Sequence, residues 1–144
     1  MVVEPITRHI THHQRVLPRD KQIRALVGES EGMAPFIEEA RDMHSHIGTG
    51  GAEIEMTTLR ALHEQYGVPN VVSIDTEGHD ADVVAGNDWT RFTPDVVLVE
   101  QAVPILESYG YHTHAVTPNN HIYAHEDFLE RRKVHKESNR REQT

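Results

Sequence analysis

The chain has 144 residues, a length that suits one domain built around a single core. A hydrophobic content of 37% with 26% charged residues describes a globular chain with polar ends, and the formal charge of −9 disfavours a general nucleic-acid binder. No apolar run approaches the roughly 20 residues of a membrane span, the start MVVEPITRHI lacks the pattern of a signal peptide, and the absence of cysteine excludes disulfides and thiolate metal sites.

Residues 2–4, VVE, predict a very short strand ending in Glu4, and Pro5 opens the segment that follows. Ile6, Ile10, Val16 and Leu17 have helical spacing over 6–17, with His9, His12 and His13 turned outward and Pro18 as the stop. QIRALVG (22–28) alternates as a strand. Gly32 then turns the chain into MAPFIEE, expected as its antiparallel partner.

Residues 40–51 are expected to form an exposed loop. The Gly-rich stretch HIGTGGAE within and after it has the wrong context for a cofactor loop, because a strand follows it instead of a helix. AEIEM (52–56) predicts that strand. Thr57 or Thr58 can cap a helix over Leu59 to Tyr66, with Leu59, Leu62 and His63 on one face and Gly67 and Pro69 ending it.

VVSI (71–74) is rich in β-branched residues and reads as a strand. It runs directly into Asp75, Glu77, Gly78, His79 and Asp80, after which Asp80 to Ala85 has the spacing of a short helix. DVVLVE (95–100) is apolar enough for a strand buried on both faces and also ends in a carboxylate, Glu100. Val103 to Tyr109 predicts a short helix closed by Gly110. YHTHAV (111–116) and HIYAH (121–125) flank the turn-forming TPNN as a hairpin. From Arg131 the tail holds six Lys or Arg against two Glu, a composition that suits a frayed helix or disorder at a chain end. The division expected is therefore a folded part over 1–130 and a basic tail over 131–144.

Strands alternating with helical segments imply an α/β fold with a mainly parallel sheet and helices on its faces. In such sheets, ligands bind outside the carboxyl ends of the strands. Glu4, Asp75 and Glu100 all stand at such ends, and three of them point to a shared ligand crevice. A carboxylate at a strand end suits the two hydroxyls of a ribose, which is the role expected of Glu4. Gly28 would let an adenine ring approach the backbone closely.

The histidines offer a competing reading. His44 with His46, and His112 with His114, have the period of two that puts both rings on one strand face. With Asp75, Glu77 and His79 they define a metal-dependent hydrolase as the alternative. No HExxH or other tight ligand spacing supports it, so no metal is expected.

The segments VVEP (2–5), ALVGESEGMAPF (25–36), HSHIG (44–48), MTTLRAL (56–62), SIDTEGHDADVVAGNDW (73–89), PDVVLVE (94–100), SYGY (108–111) and NNHIYA (119–124) follow one another in an order similar to that of the FkbM family of S-adenosylmethionine-dependent methyltransferases. The resemblance extends over most of residues 2–125, and its most specific part is D-x-E-G-H-D followed by N-D-W. It implies a Rossmann-like class I methyltransferase sheet with a C-terminal β-hairpin, and S-adenosylmethionine as cofactor. By resemblance, Glu4 would hold the cofactor ribose with Pro5 beside it, and Val27 and Gly28 would border the adenine.

Asp75, Glu77 and His79 would line the transfer site, and Asp75 or His79 would take the proton of a hydroxyl acceptor on a small molecule or glycan. The resemblance also implies a first strand and glycine loop ahead of VVEP. The chain is accordingly expected to be an N-terminally truncated version, with a non-catalytic remnant as a further reading and exposed strand edges open to self-association. No nucleic-acid or membrane partner is expected, and the location expected is cytoplasmic.

Overall fold

The computed structural model describes residues 1–39 and 45–141, with the backbone alone from residue 136 onward. The chain divides into two compact units, one of residues 1–62 with 82–87 and the other of 63–81 with 88 onward.

In the first unit, β1 (Val2–Val3) pairs in parallel with β2 (Gln22–Ile23), in the register Val2↔Gln22. Parallel neighbours need a crossover, and α1 (Thr7–Val16) supplies it. Ile6 and Ile10, one turn apart, are its buried face, and the Leu17 N–H closes the helix on the His13 carbonyl. β3 (Leu26–Val27), β4 (Gly32–Ile37), β5 (His46–Ile47) and β6 (Ala52–Thr57) form a second ladder in the order β3-β6-β4-β5. The core here is Ile6, Leu26, Ala34, Phe36 and Ile54, with Met56 packed against it.

Two expectations change. The strand foreseen over 22–28 is two short strands with different partners, because β1 pairs only as far as Ile23 while Leu26 and Val27 pair with Met56 and Thr57. β4 is not the neighbour of β3. It pairs antiparallel with β6, which lies between them and runs parallel to β3. The reason is that both edges of β6 are used: Met56 is opposite Gly32 on one side and Leu26 on the other. The stretch 46–47, expected as loop, adds β5 to the outer edge of β4. His44 and the rest of 40–44 lie outside the described residues.

α2 (Leu59–Tyr66) has the bounds its sequence implies. The Thr58 hydroxyl accepts the Ala61 N–H at 3.1 Å as an N-terminal cap. Leu59, Leu62 and His63 are its buried residues. Gly67, at φ 85°, adopts the left-handed conformation that ends the helix, and its N–H bonds to the His63 carbonyl.

The second unit is a four-stranded ladder in the order β7-β8-β10-β9, made of β7 (Val71–Ile74), β8 (Val96–Val99), β9 (Tyr111–Val116) and β10 (His121–His125). β7 and β8 are parallel, with Ile74 opposite Val99, and β8-β10-β9 is antiparallel with a bulge at Ile122/Tyr123. α3 (Asp80–Ala85) follows β7, and a 3-10 helix over Pro104–Tyr109 precedes the hairpin. β8 alternates: Val97 and Val99 are fully buried, whereas Val96 and Leu98 are half-buried.

Trp89 meets Tyr111 edge-on at 5.5 Å between ring centres. The buried Tyr111 and Tyr123 hydroxyls bond the Pro94 carbonyl and the Val103 N–H. α4 (Glu126–Arg141) is helical across residue 130, opened by Glu126 and Asp127, whose charges suit a helix N-terminus. Arg131 on α4 pairs with Asp95 at the start of β8.

The molecule is thus mixed α/β. The mainly parallel sheet expected from the sequence is not met: among the described residues the parallel pairs, β1 with β2, β3 with β6, and β7 with β8, are distributed over three ladders, and the pairings of β4 with β5 and β6 and of β10 with β8 and β9 are antiparallel. Among the described residues, no helix is long and apolar enough to cross a membrane.

Candidate functional site

The expected site residues fall into two groups, one in each unit. In the first unit, Glu4 follows β1 and its carboxylate is half-buried. One oxygen accepts the Ile6 N–H at 2.9 Å, and the other faces His9 Nδ1 at 3.3 Å. A carboxylate has about four lone-pair sites, so these two contacts leave capacity for further donors. Pro5 beside it is half-buried and leads the chain into α1.

Val27 is half-buried, whereas Gly28 is buried, with its N–H bonded to the Thr57 carbonyl at 3.0 Å. The direction in which a Gly28 side chain would project holds Met56 Sδ, at 3.2 Å from the would-be Cβ. A Cβ built on Gly86 would stand 2.1 Å from the Gly28 carbonyl oxygen, so the two glycines approach closely.

In the second unit, the carboxyl ends of β7 and β8 lie side by side. Asp75, Glu77 and His79 follow β7 and are exposed; Glu100 follows β8 and is exposed too. The turn between them is unusual. Glu77 has φ 51° and Gly78 φ 99°, two successive left-handed residues, and the His79 N–H bonds back to the Thr76 carbonyl at 3.3 Å. A non-glycine residue in that region is strained, and such residues concentrate at functional sites.

The Glu100 carboxyl is held above its ordinary range, first by lost hydration and then by the charges of Asp75, Glu77 and Asp80. Asp75, Glu77 and Glu100 follow the ends of two adjacent parallel strands. Asp75 and Glu100, foreseen as strand-end ligands, are brought together here.

Asp80 belongs by sequence to the acidic cluster after VVSI and opens a helix, and no separate role is expected of it. It is 1% exposed, and its carboxylate binds the Thr76 backbone and hydroxyl on one side and the Glu100 and Gln101 N–H groups on the other. A carboxylate in D-x-E-G-H-D that also opens a helix was the available signal. Its partners, one of them 20 residues away, were not.

His112 and His114 share one face of β9, as the spacing implied, and line a cavity of about 470 Å3 together with Glu126, Asp127 and Glu130. Glu4, Pro5, Val27, Gly28, Asp75, Glu77 and His79 do not line it. Among the described residues, no three His, Asp or Glu side chains are grouped so as to hold a metal ion.

A family model for the methyltransferase FkbM domain matches residues 6–134. The chain belongs to the FkbM methyltransferase family. No curated protein and no solved structure matches it. The FkbM match includes parts of both units and takes in Val27, Gly28, Asp75, Glu77, His79, Asp80 and Glu100. Membership makes methyl transfer the activity class, and nothing in the match speaks for the hydrolase.

Proposed function

We propose that the protein transfers a methyl group from S-adenosylmethionine to a hydroxyl of a small molecule or sugar, with the residues after β7 forming the transfer site. The observation that carries this reading is the placement of Asp75, Glu77 and Glu100 just beyond the ends of adjacent parallel strands, in a chain of the FkbM family. Ligands of open α/β sheets collect at such ends.

The residues present suit the cofactor. Glu4 retains acceptor capacity for ribose hydroxyls, and half-buried Val27 offers an apolar edge for a purine. When bound, S-adenosylmethionine supplies an activated methyl group on a sulfonium. Methyl transfer from it is an in-line displacement, so the protein contributes chiefly by holding the acceptor in line.

The acceptor hydroxyl must also lose its proton. Asp75 and His79 are both exposed on the same loop and are the groups that would accept it. Glu77, held in its strained conformation, would orient the acceptor by hydrogen bonding.

The test is a calorimetric titration with S-adenosylmethionine, followed by label transfer from methyl-labelled cofactor to a panel of sugars and polyols. Saturable binding with label in a hydroxyl acceptor is the expected result. Binding without transfer to any hydroxyl, but with transfer to amines or thiols, would overturn the O-directed reading; no binding would overturn the cofactor assignment.

A further inference from the structure

The parallel ladder of β7 and β8 ends at the Ile74↔Val99 pair. Immediately beyond it stand Asp75 and Glu100, where the chain is no longer held by ladder bonds. Asp80 takes over. One of its oxygens accepts from the Thr76 N–H at 3.1 Å and the Thr76 hydroxyl at 2.7 Å. The other accepts from the Glu100 N–H at 2.7 Å and the Gln101 N–H at 3.2 Å.

Asp75 is therefore pinned on both sides, by the ladder at Ile74 and by Asp80 at Thr76. Glu100 is pinned likewise, by Val99 and by its own N–H. The same carboxylate closes the base of the turn that keeps Glu77 at φ 51°, a conformation that persists only when its surroundings over-determine it. A buried carboxylate is costly unless its acceptor sites are filled, and here four donors fill them.

We propose that Asp80 is a positioning residue for methyl transfer, acting by splicing the loop that carries Asp75, Glu77 and His79 to the loop that begins at Glu100. The role rests on the proposed function above, but the splice itself does not. An amide cannot replace this carboxylate, because its NH2 would face N–H donors on one side or the other.

The test compares the wild type with Asp80→Asn. Two readouts are taken: amide hydrogen exchange at Glu100 and Gln101, and label transfer from methyl-labelled S-adenosylmethionine to sugars and polyols. Exchange at both amides should speed up about tenfold or more, the scale of a lost bond to a charged group. Turnover should fall about tenfold or more, as misplaced reacting groups do, while cofactor affinity changes by less than about threefold, because its expected ligands are elsewhere.

Unaltered exchange at Glu100 and Gln101 in folded Asp80→Asn would overturn the splice. Faster exchange with unchanged turnover would reduce Asp80 to a stability role and overturn the positioning claim. Should Asp80→Asn fail to fold, Thr76→Val removes one of the four bonds and must give smaller changes in the same directions in both readouts. A wild type that methylates no acceptor would overturn the proposed function, and the positioning role with it, while the exchange data still decide the splice.

Discussion

A Cβ added to Gly86 would stand 2.1 Å from the carbonyl oxygen of Gly28. The two glycines let the chain after α3 lie directly on the backbone after β3, and the Gly86 carbonyl accepts the Arg60 N–H from α2 at 3.0 Å. Gly86→Ala must move backbone, since neither partner is a flexible side chain. The expected loss is roughly 1–3 kcal/mol, the usual cost of overpacking. Gly28→Ala meets Met56 Sδ at 3.2 Å, a flexible side-chain end that can yield, and should cost clearly less. Urea midpoints of the two variants check the order, and equal losses would contradict it.

Tyr111 is fully buried and donates to the Pro94 carbonyl at 2.7 Å. Burial, helped by the nearby charge of Asp95, pushes its phenol well above the ordinary value, so it remains a donor throughout the working pH range. Tyr111→Phe leaves that carbonyl without its partner. The expected destabilisation is about 1–3 kcal/mol, with the Trp89 contact retained. Chemical denaturation measures the loss, and near-UV circular dichroism should still report an ordered Trp89.

What the sequence disclosed follows the range of the interactions. α2 and the β9–β10 hairpin were legible because their signals are local. Thr58 caps the helix from within four residues, Gly67 ends it, and TPNN turns the hairpin. The place of β6 between β3 and β4 was not legible, since the alternation of AEIEM says that it is a strand and not which edges it offers. The carboxylates at the ends of β7 and β8 were visible as residues. That Asp80 joins their loops, and that Gly86 lies on Gly28, depends on pairs remote in sequence.

Glu100 gives a pH-dependent prediction with a definite sign. Its carboxyl is raised in the folded protein by lost hydration and by Asp75, Glu77 and Asp80. The folded state therefore holds this proton more tightly than the unfolded chain, and stability falls as pH rises through the raised value. Glu100→Gln removes the repulsion without removing the side chain. Its gain over the wild type should be present at pH 7 and diminished near pH 4.5, read as the difference in urea midpoint. A gain that is larger at the lower pH would have the wrong sign for like-charge crowding.

The proton of a hydroxyl acceptor decides between Asp75 and His79. Asp75→Asn keeps the shape of the side chain and removes its charge and basicity. If Asp75 is the base, transfer should fall by about 100-fold or more, the usual scale for a lost general base, and S-adenosylmethionine affinity should change far less. His79→Gln separates the alternative, because it removes the imidazole and keeps a polar side chain of similar reach. Turnover of the wild type and both variants at saturating cofactor carries the comparison. A loss of that size in Asp75→Asn with little change in His79→Gln assigns the proton to Asp75. Undiminished turnover in Asp75→Asn moves the role to His79 and leaves Asp75 to orient the acceptor.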